Sequence, residues 1–194
     1  MLRMAVLISG GGTDLQSIID HRDSINGQIA LVVSNKENAG GLERARKADI
    51  PTFVTKDQSV LLNKLKEEKI DFVVLAGYLA ILGHDLIEAY PNKIINIHPS
   101  LIPSFCGPGM YGMHVHDAVL ARGSKVSGAT VHFVSEEVDG GPIIWQEAVS
   151  IADLETAEDI QKRVLEIEHI ILPKVVALYC DGKIQVKEGR VKVL

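Results

Sequence analysis

Asn96-Ile97-His98 closes a short aliphatic run, Ile94 to Ile97, that reads as a buried parallel strand. Ligands of parallel sheets sit beyond the carboxyl ends of their strands, where this triplet falls. Side chains alternate along a strand, so Asn96 and His98 share one face and Ile97 takes the other. An amide N–H can donate to a carbonyl oxygen as it gains negative charge, and an imidazole moves protons near neutral pH. Position alone leaves open a histidine that only satisfies loop carbonyls. Asp139 opens an Asp-Gly-Gly turn. Near His98 its carboxylate would orient the imidazole and stabilise the protonated ring, although the local pattern by itself favours a hairpin aspartate.

Ser9-Gly10-Gly11-Gly12-Thr13-Asp14 joins an aliphatic run to a helical pattern. Free backbone N–H groups and the helix dipole at such a junction favour an anion. The loop lacks the Gly-Lys-Ser/Thr of a Walker A motif, and Leu15 stands where a dinucleotide fingerprint needs its third glycine. The next strand ends in Ser34-Asn35-Lys36, with no acid for a ribose. A monophosphate therefore fits better than ATP or NAD, with a ligand-free tight turn as the alternative. Glu168 lies four residues after Val164 and three before Ile171, on the stripe of a helix that should face the core. A carboxylate there needs a partner, either a Lys or Arg of the chain or the amine or hydroxyls of a polar substrate. His132 reads as a half-buried strand histidine, and His114 and His116 as loop or helix-start residues. The histidines show no metal-ligand spacing, and Cys106 reads as a free thiol.

The elements that must position these groups alternate. Strands are expected at Met4–Ser9, Ile29–Val33, Thr52–Val54, Phe72–Ala76 and Ile94–Ile97. Helices are expected around Leu15–Ile25, Leu42–Ala48 and Val60–Lys69. Parallel strands need crossovers, so the first hundred residues read as an α/β fold, a doubly wound, mostly parallel, Rossmann-like sheet with helices on both faces. Pro99 to Gly112 is too rich in Pro and Gly for regular structure and reads as a long loop. A short helix (Val115–Arg122) and two strands (Ala129–Val134 and Ile143–Val149) follow, an antiparallel extension in the C-terminal half. Thr156 and Asp159 then stand at capping-box spacing before a long helix that Pro173 is expected to kink or end. The apolar stretch between Asp71 and His84 reads as buried core.

The 194 residues carry 46% hydrophobic and 23% charged residues and a net charge of -5, the composition of an ordinary globular domain. No global basic field draws the chain to nucleic acid or an anionic membrane. The longest apolar stretch is shorter than the ~20 residues of a membrane span, and Arg3 and Gly10 leave no room for a signal-peptide core. The two cysteines form no CxxC motif. These features predict a cytoplasmic protein with no nucleic-acid or membrane partner.

Together these pieces resemble the glycinamide ribonucleotide formyltransferases, the folate-dependent enzymes of purine synthesis. The resemblance runs almost end to end. It comprises the glycine loop with Leu15-Gln16, Val74-Leu75-Ala76-Gly77-Tyr78, Asn96-Ile97-His98-Pro99-Ser100-Leu101 and Val131-His132-Phe133-Val134, then Asp139-Gly140-Gly141-Pro142-Ile143 and Glu168-His169. The Asn-x-His-Pro-Ser-Leu segment marks formyltetrahydrofolate-using enzymes as a group. The glycine loop, Glu168 and the single-domain length select the ribonucleotide acceptor.

The resemblance implies one domain over residues 1–194, with a phosphate-binding βαβ half over about 1–100 and a folate and catalytic half over about 101–194. It implies transfer of a formyl group from 10-formyltetrahydrofolate, as co-substrate and without a metal, to the amine of 5-phosphoribosylglycinamide. Asn96, His98 and Asp139 would be catalytic. Gly12, Thr13 and Asp14 would hold the phosphate through their backbone, and Glu168 would contact the glycinamide and ribose. Leu79, Ala80, Ile81 and Leu82, with Asn96, would line the folate site. A monomer and a homodimer are both compatible with it. Three positions depart from the family pattern: Asp14 replaces the usual Asn, Ala80 the common Arg, and residues 56–65 are short and lack an Arg for the folate. A hydrolase that releases formate from the same folate is the alternative, although such enzymes usually carry an added regulatory domain.

Overall fold

Aliphatic β-rich segments separated by glycine and helical stretches fold as alternating strands and helices, and the computed structural model describes all 194 residues. In chain order the first half contains β1 (Leu2–Ile8), α1 (Thr13–Asp20), β2 (Gly27–Ser34), α2 (Gly40–Lys47), β3 (Thr52–Val54), α3 (Gln58–Glu67), β4 (Phe72–Leu75), α4 (His84–Ala89) and β5 (Ile94–His98). The second contains α5 (Met113–Arg122), β6 (Val126–Phe133), β7 (Ile143–Ser150), α6 (Ala157–Cys180), β8 (Ile184–Lys187) and β9 (Arg190–Val193). Seven strands form one sheet in the order β3-β2-β1-β4-β5-β6-β7. The first five run parallel, and β6 and β7 continue the sheet antiparallel.

Strand alternation divides the core between the two faces. Val6, Ile8, Val74, Ile95 and Val131 pack with residues of α1, α5 and α6, whereas Ala5, Leu7, Val73 and Leu75 pack with those of α3 and α4. The chain order reverses at β1, whose neighbours are β2 and β4. That switch point opens a crevice at the carboxyl ends of β1 and β4, the usual ligand position in open α/β sheets.

Five features differ from the sequence expectation. Pro173 does not end α6, which continues to Cys180. The proline removes one helix N–H, but Ile171, Leu172, Val175 and Val176 around it are fully buried, and that packing holds the helix together. The first helix ends at Asp20, before Ile25. Helix α4 and the β8–β9 hairpin were not expected. Between Asp71 and His84 the run is buried only in part, because Leu79 is 50% and Ile81 75% exposed.

Candidate active site

The glycine loop takes its shape from contacts with α2. Gly41 N donates to Gly10 O (3.0 Å) and Arg44 Nε to Gly11 O (2.7 Å), so these carbonyls are held away from the start of α1. Gly12 is left-handed (φ 71°), and a Cβ there would lie 2.6 Å from Gly41 Cα, so only glycine fits. Gln16 N makes the first helical bond, to Gly12 O. Helices leave their first N–H groups without helical partners, which here belong to Gly12 through Leu15. Ser9 links this loop to the next strand end: its Oγ donates to Asn35 Oδ1 (2.7 Å) and accepts from Leu79 N (2.9 Å).

Asn96 and His98 occupy the carboxyl end of β5, on the face opposite Ile95 and Ile97. The antiparallel register sets Asn96 opposite His132 and His98 opposite Thr130 on β6. His98 Nε2 donates to Phe105 O (2.9 Å), and its Nδ1 faces Asp139 Oδ2 at 3.6 Å. Asp139 sits in the β6–β7 turn with φ 56°, and its Oδ2 accepts from Gly107 N (2.9 Å). The loop from Pro99 to Gly112 therefore holds both members of the pair, one by a carbonyl and one by an N–H. Thr130 Oγ1 anchors the same loop, donating to Ser100 O and accepting from Ile102 N.

Burial lowers the pKa of His98, against the opposing pull of Asp139. Burial alone would raise the pKa of Asp139, but the Gly107 N–H, and the attraction of the carboxylate to either facing ring once that ring carries a proton, outweigh it and hold the carboxyl below its usual value. The arrangement is a neutral, proton-accepting ring beside an ionised carboxylate. The structure thus brings the three sequence-selected groups together, and it also realises the carbonyl contact that was the plainer reading of His98.

Glu168 lies on the buried stripe of α6, with no Lys or Arg paired to it. Its neighbour is Asp14 in the first turn of α1. Burial, then the Asp14 charge, raises the pKa of Glu168 well above its usual value, and burial raises that of Asp14 to about 6. Asp14 Oδ1 lacks a hydrogen bond and lies 3.7 Å from His169 Nε2, itself unpartnered. Neither acid is paired with a Lys or Arg, and the ring facing Asp14 is that of His169.

Asn96, His98, Asp139, Asp14 and Glu168 all line one cavity of about 410 Å³. Leu79, Ala80, Ile81 and Leu82 form one wall, so the exposed pair in that run faces the cavity mouth. Gly12 and Thr13 do not line it; they reach it through Asp14, the next residue of α1. No three His, Cys, Asp or Glu side chains are gathered as metal ligands.

Two histidines of the cavity were read from the sequence as structural. His132 is buried, with Nε2 3.1 Å from Asn96 Nδ2 and 3.6 Å from Asp139 Oδ1. His116 is buried in α5 with its Nδ1 unpartnered, and burial lowers its pKa to about 4. Both need the fold to be seen: His132 shares strand parity with Thr130, but nothing in the sequence shows that β6 pairs with β5.

The formyl transferase family model matches residues 2–176. The chain belongs to the formyl transferase family. Among curated members of the family, it is 40% identical to the chloroplastic phosphoribosylglycinamide formyltransferase of Arabidopsis thaliana, over 99% of this chain and 70% of that protein. It is also 40% identical to the phosphoribosylglycinamide formyltransferase of Haemophilus influenzae, over 97% of this chain and 92% of that one. Among solved formyl transferase folds, glycinamide ribonucleotide transformylase 1 of Symbiobacterium toebii superposes with a TM-score of 0.93 at 39% identity, covering 100% and 94% of the two chains. A formyltetrahydrofolate deformylase of Pseudomonas syringae superposes at 0.91 and 27% identity, covering 100% of this chain and 66% of that one.

Proposed function

We propose that the chain transfers the formyl group of 10-formyltetrahydrofolate to the amine of 5-phosphoribosylglycinamide, giving the N-formyl ribonucleotide and tetrahydrofolate. The phosphate rests on the free N–H groups of Gly12, Thr13 and Asp14, and Glu168 receives the glycinamide and ribose. The folate lies along Leu79 to Leu82, with Asn96 at its formyl end. The amine nitrogen attacks the formyl carbon, and Asn96 Nδ2 donates to the oxygen that becomes negative. His98 keeps its Nε2 proton on Phe105 O and takes the amine proton at Nδ1. The resulting imidazolium is stabilised by Asp139. The bond from carbon to the folate nitrogen then breaks, and His98 returns the proton to that nitrogen. No step of this scheme uses a metal. One domain serves both substrates, and the cytoplasm is the proposed location, where a reducing environment suits the unpaired thiols of Cys106 and Cys180.

One observation carries this proposal: the formyl-handling group Asn96, His98 and Asp139 shares its cavity with the acidic acceptor end, Asp14 and Glu168. A hydrolase needs only the first set. The test is folate absorbance with 10-formyltetrahydrofolate alone and then with 5-phosphoribosylglycinamide added. Turnover that requires the acceptor supports the transferase. Equal turnover without it makes the chain a hydrolase, and silence in both overturns the assignment.

A further inference from the structure

We propose that His132 is a positioning residue that fixes which end of the Asn96 amide meets the formyl oxygen. The inference rests on the formyl-transfer role given to Asn96 above. The two residues stand directly opposite in the β5–β6 register, where cross-strand side chains touch. Phe133 O lies 2.8 Å from His132 Nδ1. A carbonyl only accepts, so Nδ1 carries the ring proton and Nε2 presents a lone pair. Asn96 Nδ2, 3.1 Å away, donates to that lone pair.

This tautomer excludes the flipped amide. With Oδ1 in place of Nδ2, two lone pairs would face each other at hydrogen-bond distance inside a site where His132 is 2% exposed. The amide nitrogen has two N–H groups, so one bond to His132 leaves the other for the formyl oxygen. A flipped Asn96 would instead point its carbonyl at a developing oxyanion, removing a donor and adding repulsion. The same tautomer also keeps Asp139 for His98. Asp139 Oδ1 lies 3.6 Å from His132 Nε2, and a proton on Nε2 would draw the carboxylate towards the wrong ring.

Gln at position 132 places an amide oxygen near the Nε2 position, whereas Asn reaches only the Nδ1 position. In steady-state assays of the intact enzyme, His132→Asn should lower kcat about 100-fold, the scale of one oxyanion donor, with both KM values within about twofold. His132→Gln should recover to within about tenfold of wild type. In an Asn96→Ala background, His132→Asn should cost nothing further, because its target is gone. Equal losses in the Asn and Gln variants, or losses that multiply with Asn96→Ala, would overturn the inference while leaving formyl transfer in place. A wild-type enzyme without acceptor-dependent turnover would instead overturn the functional reading beneath it. Nitrogen-15 NMR of the wild-type protein needs no variant to fold: it should show His132 protonated at Nδ1 with a bare Nε2, and a proton on Nε2 would refute the mechanism.

Discussion

Asp139 Oδ2 lies 3.6 Å from His98 Nδ1, beyond direct hydrogen-bond reach, although both side chains are at most a tenth exposed. A neutral imidazole whose proton sits on Phe105 O turns a lone pair towards that carboxylate. The pair becomes attractive only when Nδ1 takes a proton, which in the proposed mechanism happens in the charged intermediate and not in the resting enzyme.

His98→Ala and Asp139→Asn should each lower kcat by about 100-fold to 10,000-fold with the fold intact. Burial holds the His98 pKa below its usual value while Asp139 pulls it upward. A base works when deprotonated, so wild-type kcat should fall only on the acid side of that lowered pKa. Loss of the Asp139 charge should move this acid limb to still lower pH. Near-normal turnover in either variant, or a limb that moves to higher pH, would contradict the roles assigned. Circular dichroism and a pH series of kcat check both points.

Glu168→Gln should raise the KM for the ribonucleotide by about tenfold, the scale of one hydrogen bond to a charged group, and leave the KM for the folate unchanged. Equal changes in both constants would remove Glu168 from the acceptor end.

Asp14→Asn should stabilise the protein at neutral pH. The folded state raises the Asp14 pKa from 3.8 to about 6, so it binds the proton more tightly than the unfolded chain does. The stability cost is therefore fully present above about pH 6, shrinks as the pH falls, and is absent below 3.8. Two pH units correspond to about 3 kcal/mol. The variant should melt up to about 10 °C above wild type at pH 8, with the difference closing towards pH 4. A constant difference across that range would show that burial of the charge is not the cause.

Gly12→Ala and Gly10→Ala should behave differently. The first combines a left-handed backbone with a Cβ driven against Gly41, whereas nothing lies within 4 Å of a Cβ on Gly10. The Gly12 variant should lose about 1–3 kcal/mol and bind the ribonucleotide more weakly. Thermal melts of the two proteins make the comparison, and matched stabilities would remove the steric argument.

The parallel half of the sheet was legible because its signals are local. The run Met4–Ile8 followed by Gly10-Gly11-Gly12 declares a strand, a turn and a helix without reference to the rest of the chain. Helix α4 was not legible, since it has six residues and only Leu86 is buried. The β8–β9 hairpin was legible and overlooked. Ile184 to Lys187 alternates in burial, and Glu188-Gly189, both at positive φ, forms the two-residue turn that suits such strands. At the site, Asn96, His98 and Asp139 could be picked out by type and motif, but their meeting depends on the β5–β6 register and the path of the 99–112 loop. Those are long-range facts, and the contribution of His132 depends on them entirely.

Ser9 joins the end of β1, which leads into the proposed phosphate loop, to Leu79, at the head of the proposed folate wall, through its hydroxyl. The groups proposed to handle the formyl stand elsewhere, on β5, β6 and the β6–β7 turn. On the proposed roles, the molecule separates a reusable chemical head from an exchangeable recognition end. For an engineer, α1 and α6 are where a different amine would be admitted, and Ser9 is the joint to leave alone, because redesign of the acceptor end would otherwise disturb the donor.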